Sequence, residues 1–235
     1  MIDLSTPKGR IIDAALRLAA TKPWHDVSIA DIAQSAGLGL ADFAKEFYGK
    51  LGIVTAFQKL VDDQVLRRAR LVHGSDESAR DRVFDVIMTR FDILQPHKAA
   101  LKSIMADASR VPPSPDMLGK LMRSQHWMLV AAGIPADGPA GRAREAALLS
   151  VYARAFREWL EDDDPGHAKT MAVLDRRLRN GERWMQTFED ARGRLEKFAG
   201  MFTSRMRGRR ADHKADKDPS AAEPPRPETG GATAF

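Results

Sequence analysis

The chain has 235 residues, 43% of them hydrophobic and 29% charged, with a formal net charge of +5 and no cysteine. That much apolar surface supports a full core of one large or two modest domains. The missing thiols exclude a disulfide framework, thiolate-ligated zinc, an iron–sulfur cluster and a cysteine nucleophile, and they suit a reducing, cytoplasmic setting.

No apolar run approaches the roughly 20 residues of a membrane-spanning helix. The start MIDLSTPKGRIID also lacks the apolar core of a secretory signal. The expectation is a soluble protein without stable membrane insertion. Its positive charge is unevenly placed: residues 1–191 hold 27 Lys/Arg against 26 Asp/Glu, residues 192–217 hold 9 against 3, and residues 218–235 hold 1 against 3. The first fifty residues hold six of each sign.

Apolar residues recur at three- and four-residue spacing from the start to about residue 206, and no Val/Ile/Thr-rich run alternates with polar residues. An all-α fold follows. In the first helix Ile11, Ile12, Ala15, Leu16 and Ala19 form one stripe, which Pro23 and Trp24-His25-Asp26 terminate. Ser28 then precedes IADIAQSAG with Asp31 three residues on, the spacing of a capping box. Ile29, Ile32, Ala33 and Ala36 face inward, Gly37 supplies the left-handed turn, and Leu38 fills the corner. A second short helix, Leu40 to Phe47, places Phe43 and Phe47 on its buried side.

Two short helices joined at a glycine and braced by a preceding amphipathic helix make a helix-turn-helix, whose second helix presents its outer face to a major groove. Small helical subdomains with no nucleic-acid role share this periodicity. A fourth helix begins near Leu51 and carries Ile53, Val54, Phe57, Leu60, Val61 and Val65 up to the basic cluster Arg67, Arg68 and Arg70.

Further along, Pro96 breaks a helix beside a flexible apolar cluster: Phe84, Ile87, Met88, Phe91, Ile93 and Leu94, then Leu101, Ile104 and Met105, then Leu118, Leu121, Met122, Trp127, Met128 and Val130. Such faces either line an adaptable cavity or form plain core. Two late helices, Ala140 to Leu160 and His167 to Thr187, carry Leu148, Leu149, Val151, Tyr152, Phe156 and Trp159 on the first and Met171, Leu174, Leu178, Trp184 and Met185 on the second. They suit subunit association in a four-helix bundle or packing within one chain.

Chemistry is not indicated. The six histidines, at 25, 73, 97, 126, 167 and 213, are scattered, without metal-ligand spacing, so no metal site and no cofactor is expected. No Ser/His/Asp set or phosphate loop identifies itself, and the run Glu161, Asp162, Asp163, Asp164 reads as a helix end. No catalytic residue is assigned. From Gly208 onward, composition predicts disorder. The basic start of that tail, Arg205, Arg207, Arg209 and Arg210, suits either a solvated solubility tail or contact with phosphates or acidic headgroups.

The run IIDAALRLAATKPWHDVSIADIAQSAGLGLADFAKEFYGK resembles the amino-terminal domain of the TetR family of transcriptional regulators, through its Ile-x-x-Ala-Ala start, the Val-Ser-Ile-x-x-Ile-Ala-x-x-Ala-Gly helix, and Phe47 and Lys50 at family spacing. The resemblance implies a DNA-binding domain at 1–57, a helical effector-binding and dimerisation domain at 58–206, and a tail at 207–235. It implies a homodimer on double-stranded DNA, a repressor released when a small apolar effector binds.

On that reading the DNA contacts are Ser28, Gly39, Leu40, Ala41, Asp42, Lys45, Tyr48 and Lys50, with Lys22 as a further anchor. The effector is lined by Phe84, Met88, Phe91, Met105, Met122 and Trp127. This chain departs from the family pattern at Ala44 and Glu46, where aromatics are common. Asp42 and Glu46 also share the outer face of the reading helix, which disfavours a polyanion.

A second resemblance lies near the end. REWLEDDDPGHAKTMAVLDRRLRNGERW, through Trp159, Asp162, Asp164, Thr170, Leu174, Asp175, Arg176 and Arg177, is similar to coenzyme Q biosynthesis accessory proteins, which share the TetR-like fold and bind lipid. This implies the alternative function, a lipid-binding accessory protein whose helix-turn-helix is scaffold only.

Overall fold

Thr6 starts the first helix by accepting a hydrogen bond from the Gly9 amide at 3.0 Å, with Pro7 at the first helical position. In this computed structural model, which describes residues 2–69, 77–108 and 113–180, that helix is α1, Pro7–Thr21. Gly9 is obligatory there: a Cβ would stand 1.8 Å from the Asp3 carbonyl oxygen. The expected stripe Ile11, Ile12, Ala15, Leu16 and Ala19 is buried throughout.

A 3₁₀ turn, Trp24–Asp26, separates α1 from α2, Ile29–Ser35, and α3 spans Leu40–Glu46. The long α4 follows directly, Lys50–Arg68. Then come α5, Ala79–Leu94; a 3₁₀ turn at Gln95–His97, where Pro96 interrupts the helical path; α6, Lys98–Ala108; α7, Pro115–Ala131; and α8, Gly138–Glu161. A ninth helix, α9, runs through residues 168–180. No strand occurs among the described residues, so the chain is all-α as expected.

The described helices all belong to one unit, which reaches Arg183. Trp184, Met185, the basic run after residue 191 and the proposed tail lie outside the described residues. The expected boundary at 57 falls inside α4, whose Phe57 is buried. One apolar core runs from Ile11 and Ile32 through Phe57 and Val61 to Phe91 and Trp159.

Helix α6 packs along α1. The Ser103 hydroxyl donates to the Lys22 carbonyl at 3.2 Å, and His25 Nδ1 lies 3.1 Å from an Asp107 carboxylate oxygen. His97, in the turn before α6, sets its ring edge-on to Phe57 of α4 at 5.1 Å.

Burial holds the His97 imidazole below its ordinary pKa, against the opposing pull of Asp13. A base with a depressed folded pKa binds fewer protons folded than unfolded, so its contribution is present above the unfolded value and is lost as pH falls. Between pH 7.5 and 5.5 the thermal midpoint of the wild type is therefore expected to fall relative to that of His97→Gln. Parallel midpoints across that range, followed by circular dichroism, would refute the assignment.

Candidate nucleic-acid interface

The helix-turn-helix is built by caps at both of its corners. The Ser28 hydroxyl accepts from the Asp31 amide at 3.0 Å, and the Asp31 carboxylate accepts from the Ser28 amide at 3.0 Å, a complete capping box. Lys22 Nζ reaches the same carboxylate at 2.9 Å. The Lys22 hydrogen bond, followed by those from Ser28, brings the Asp31 pKa down to about 2. The corner therefore keeps its charge pair through any ordinary buffer.

Gly37 closes α2 at φ +66°, where a side chain would be strained. Its neighbour Leu38 returns to bond the Ala33 carbonyl at 2.9 Å. Helix α3 then starts from Gly39 and is anchored by Phe43 and Phe47, both buried, with ring centroids 6.2 Å apart. Those two rings fix which face of α3 looks outward.

The outward face carries Leu40, Ala41, Asp42, Ala44, Lys45 and Glu46, all exposed, and Tyr48 stands free just beyond the helix. Exposed Leu and Ala methyls suit thymine methyl groups, and a tyrosine hydroxyl suits a phosphate. Asp42 does not meet solvent alone: Lys45 Nζ donates to it at 2.9 Å, and that bond lowers the Asp42 pKa while raising that of Lys45. The repulsive charge read from the sequence is thus half masked by its neighbour, in an exposed pair that exchanges readily. Glu46 remains exposed.

Two expected anchors have other partners. Lys22 is held by Asp31. Lys50 Nζ donates to the Trp24 carbonyl at 2.7 Å and the Val27 carbonyl at 2.9 Å, 4.7 Å from the centre of the Trp24 ring. That grip ties the start of α4 to the turn entering α2. Conversely, Lys8, passed over in the sequence, is exposed at the start of α1 with its ammonium 5.9 Å from the Phe47 ring, and has no carboxylate partner among the described residues. Nothing in local spacing links residue 8 to residue 47, and only the packing of α1 on α3 brings them together.

The residues expected to line an effector separate by helix. Phe91 is fully buried; Phe84, Met88 and Met105 are half-buried against the core; Met122 is half-buried on α7; and Trp127 is 42% exposed, edge-on to His126. On α7 the inward positions are instead Ser124, Gln125, Met128 and Leu129.

The late acidic run has a structural task. Asp162 is buried and accepts from the Thr170 amide at 2.9 Å and hydroxyl at 2.7 Å, fastening the loop between α8 and α9. Lys98 Nζ donates to the Asp162 carbonyl and sits 5.3 Å from the Trp159 ring. Trp159, Asp162, Thr170 and Leu174, four residues carrying the resemblance to lipid-binding proteins, are all interior. Loop closure and packing account for them without a lipid. Among the described residues there is no cluster of metal-ligating side chains, and no helix is long and apolar enough to cross a membrane.

Residues 11–57 match the family model of the bacterial regulatory proteins of the tetR family. No curated protein matches the chain closely enough in sequence to count as a relative. Among solved structures, the chain is similar to a TetR transcriptional regulator from Nitrosomonas europaea ATCC 19718, with TM-score 0.59 and 23% identity over 74% of this chain and 97% of that one. It is also similar to a TetR transcriptional regulator from Rhodococcus sp. RHA1, with TM-score 0.52 and 22% identity over 73% and 92% of the two chains. A tetR-family regulator from Streptomyces coelicolor gives 0.51 and 19% over 77% and 81%. The amino-terminal helix-turn-helix is thus a tetR-family domain, and the chain that carries it has the fold of the solved TetR regulators.

Proposed function

We propose that the protein is a cytoplasmic, dimeric, non-enzymatic transcriptional regulator that binds double-stranded DNA through α3 and is released from it by a small, largely apolar effector held in the helical part spanning residues 58–206. The observation that supports this best is the α3 face: two buried phenylalanines orient it, a capping box fixes the corner before it, and its outward residues are free to meet a groove. Ser28, Gly39, Leu40, Ala41, Asp42, Lys45 and Tyr48 supply the contacts in this proposal, and Lys50 positions them. Lys8 is added as a backbone anchor. Helices α8 and α9 are the proposed dimer surface, paired across a two-fold axis as a four-helix bundle.

The direct test is binding of the purified chain to duplex DNA from upstream of its own gene, followed by fluorescence anisotropy across a salt titration. Selective binding over an unrelated duplex supports the reading; equal affinity for both, or none at low salt, rejects it. Within that assay Lys8→Ala is expected to weaken binding to every sequence alike and to reduce the slope of log affinity against log salt by about 1. An unchanged slope removes Lys8 from the phosphate contacts. Asp42→Ala should instead change the preferred sequence.

A further inference from the structure

Four helices converge on one guanidinium in the helical part beyond residue 57. Arg90 of α5 is 4% exposed. Its NH1 donates to the Asp62 carboxylate of α4, its Nε donates to the Tyr152 hydroxyl of α8 at 3.0 Å, and the Ser124 hydroxyl of α7 donates to the same Asp62 oxygen at 2.7 Å. Beside Ser124 in the chain, the amide oxygen of Gln125 is buried and accepts no hydrogen bond.

Apolar rings adjoin this charge. The Tyr152 ring lies 5.4 Å from the guanidinium and stacks on Phe91 at 5.8 Å and 21°. Phe91 in turn stacks on Trp159 at 5.4 Å and 6°.

A buried guanidinium requires an anion, and removing its partner without replacement leaves an uncompensated charge in a low-dielectric interior. A neutral apolar molecule therefore cannot move Asp62 away from Arg90. A molecule bringing its own carboxylate can, because it exchanges one charge-assisted pair for another. Flat rings are the apolar surface this place offers such a molecule.

Asp62 belongs to α4, the helix that continues directly from α3 and whose Lys50 grips the entry to α2. Its displacement would undo the tie of that helix to α5 and α7, while the bond from Arg90 to Tyr152 of α8 would remain.

We propose that Arg90 is the anion-holding residue of a site for small aromatic carboxylates, filled in the resting protein by Asp62 as an internal stand-in, so that the effector replaces Asp62 and frees α4. The proposal rests on the reading of residues 58–206 as effector-binding.

The test is calorimetric titration of the full-length protein with benzoate and with benzamide at neutral pH, in buffer free of other carboxylates. Asp62→Asn leaves the site occupied by a neutral amide, a far weaker competitor for the guanidinium than a carboxylate, and its affinity for benzoate is expected to exceed that of the wild type by about tenfold or more, since apparent affinity is scaled by the fraction of sites already open. Ser124→Ala loosens Asp62 without stranding a charge and should give a smaller rise; it carries the test if Asp62→Asn does not fold. Benzamide should bind none of them.

Benzoate affinity that is the same in wild type and Ser124→Ala, or benzamide binding that follows benzoate, overturns the exchange. Anisotropy with the upstream duplex, run on the same samples, separates the two readings. DNA binding with no gain in benzoate affinity sinks the site and leaves the regulator. The expected benzoate pattern with no DNA binding upholds the site and sinks the regulator.

Discussion

Trp159→Ala is expected to lower the unfolding free energy by about 3–5 kcal/mol, the range for deleting a fully buried aromatic side chain. Trp159 is 0% exposed and lies between other rings, 5.4 Å from Phe91 and 5.6 Å from Phe156. Lys98 Nζ also rests 5.3 Å from its ring. The loss would therefore reach α5, α6 and α8 at once, and the remaining rings cannot close the gap without giving up their stacking.

Trp159→Phe isolates the cause. The indole Nε1 is buried with no hydrogen-bond partner, so phenylalanine removes an unsatisfied donor while keeping a ring in place. It is expected to lose clearly less than the alanine variant, because it leaves a smaller cavity and removes the unsatisfied donor. Guanidinium unfolding at fixed protein concentration, followed by far-ultraviolet circular dichroism, measures both. Similar losses for the two variants would show that the stack contributes little beyond volume.

The amino-terminal elements were legible in the sequence because their signals are local. Ser28 with Asp31, Gly37, and Phe43 with Phe47 each act within four residues, and all hold in the structure. Pro96 likewise divides α5 from α6 where its ring forbids a continuous helix. Helix α8 begins two residues before the Ala140 read from the sequence, at Gly138, with Pro139 preset for its first turn.

What escaped the sequence is long-range. Apolar periodicity finds core by hydrophobicity and so passes over Arg90, although that residue is buried beside Phe91. On α7 apolar residues surround the helix, so periodicity could not choose a face: Trp127, expected inside, is exposed, and Ser124 and Gln125 take the inner positions. The charge on α3 is also only partly legible in the sequence. Asp42 and Glu46 at four-residue spacing suggest two bare carboxylates, but Lys45 at three-residue spacing reaches Asp42 first.

Lys50 is where a local motif and a long-range contact give opposite expectations. At its family spacing it reads as a phosphate anchor, and Lys50→Met should then remove about one unit of salt slope from DNA binding. In the structure its ammonium bonds the carbonyls of Trp24 and Val27 at 2.7 and 2.9 Å, 26 and 23 positions away in the chain.

Charge-assisted bonds of this kind are each worth about 1.5–3 kcal/mol. Lys50→Met retains most of the aliphatic stem over Trp24 and should still lower stability by about that much, because the Val27 carbonyl loses a donor and α4 loses its hold on the turn before α2. DNA affinity should fall as well, through misplacement of α3, while the salt slope stays that of the wild type. A slope reduced by about 1 with unchanged thermal stability would return Lys50 to the phosphate backbone and make the carbonyl contacts incidental. Set beside Lys8→Ala, for which the slope should drop and stability should hold, the pair of variants separates a cation that faces DNA from one that aims the helix facing it.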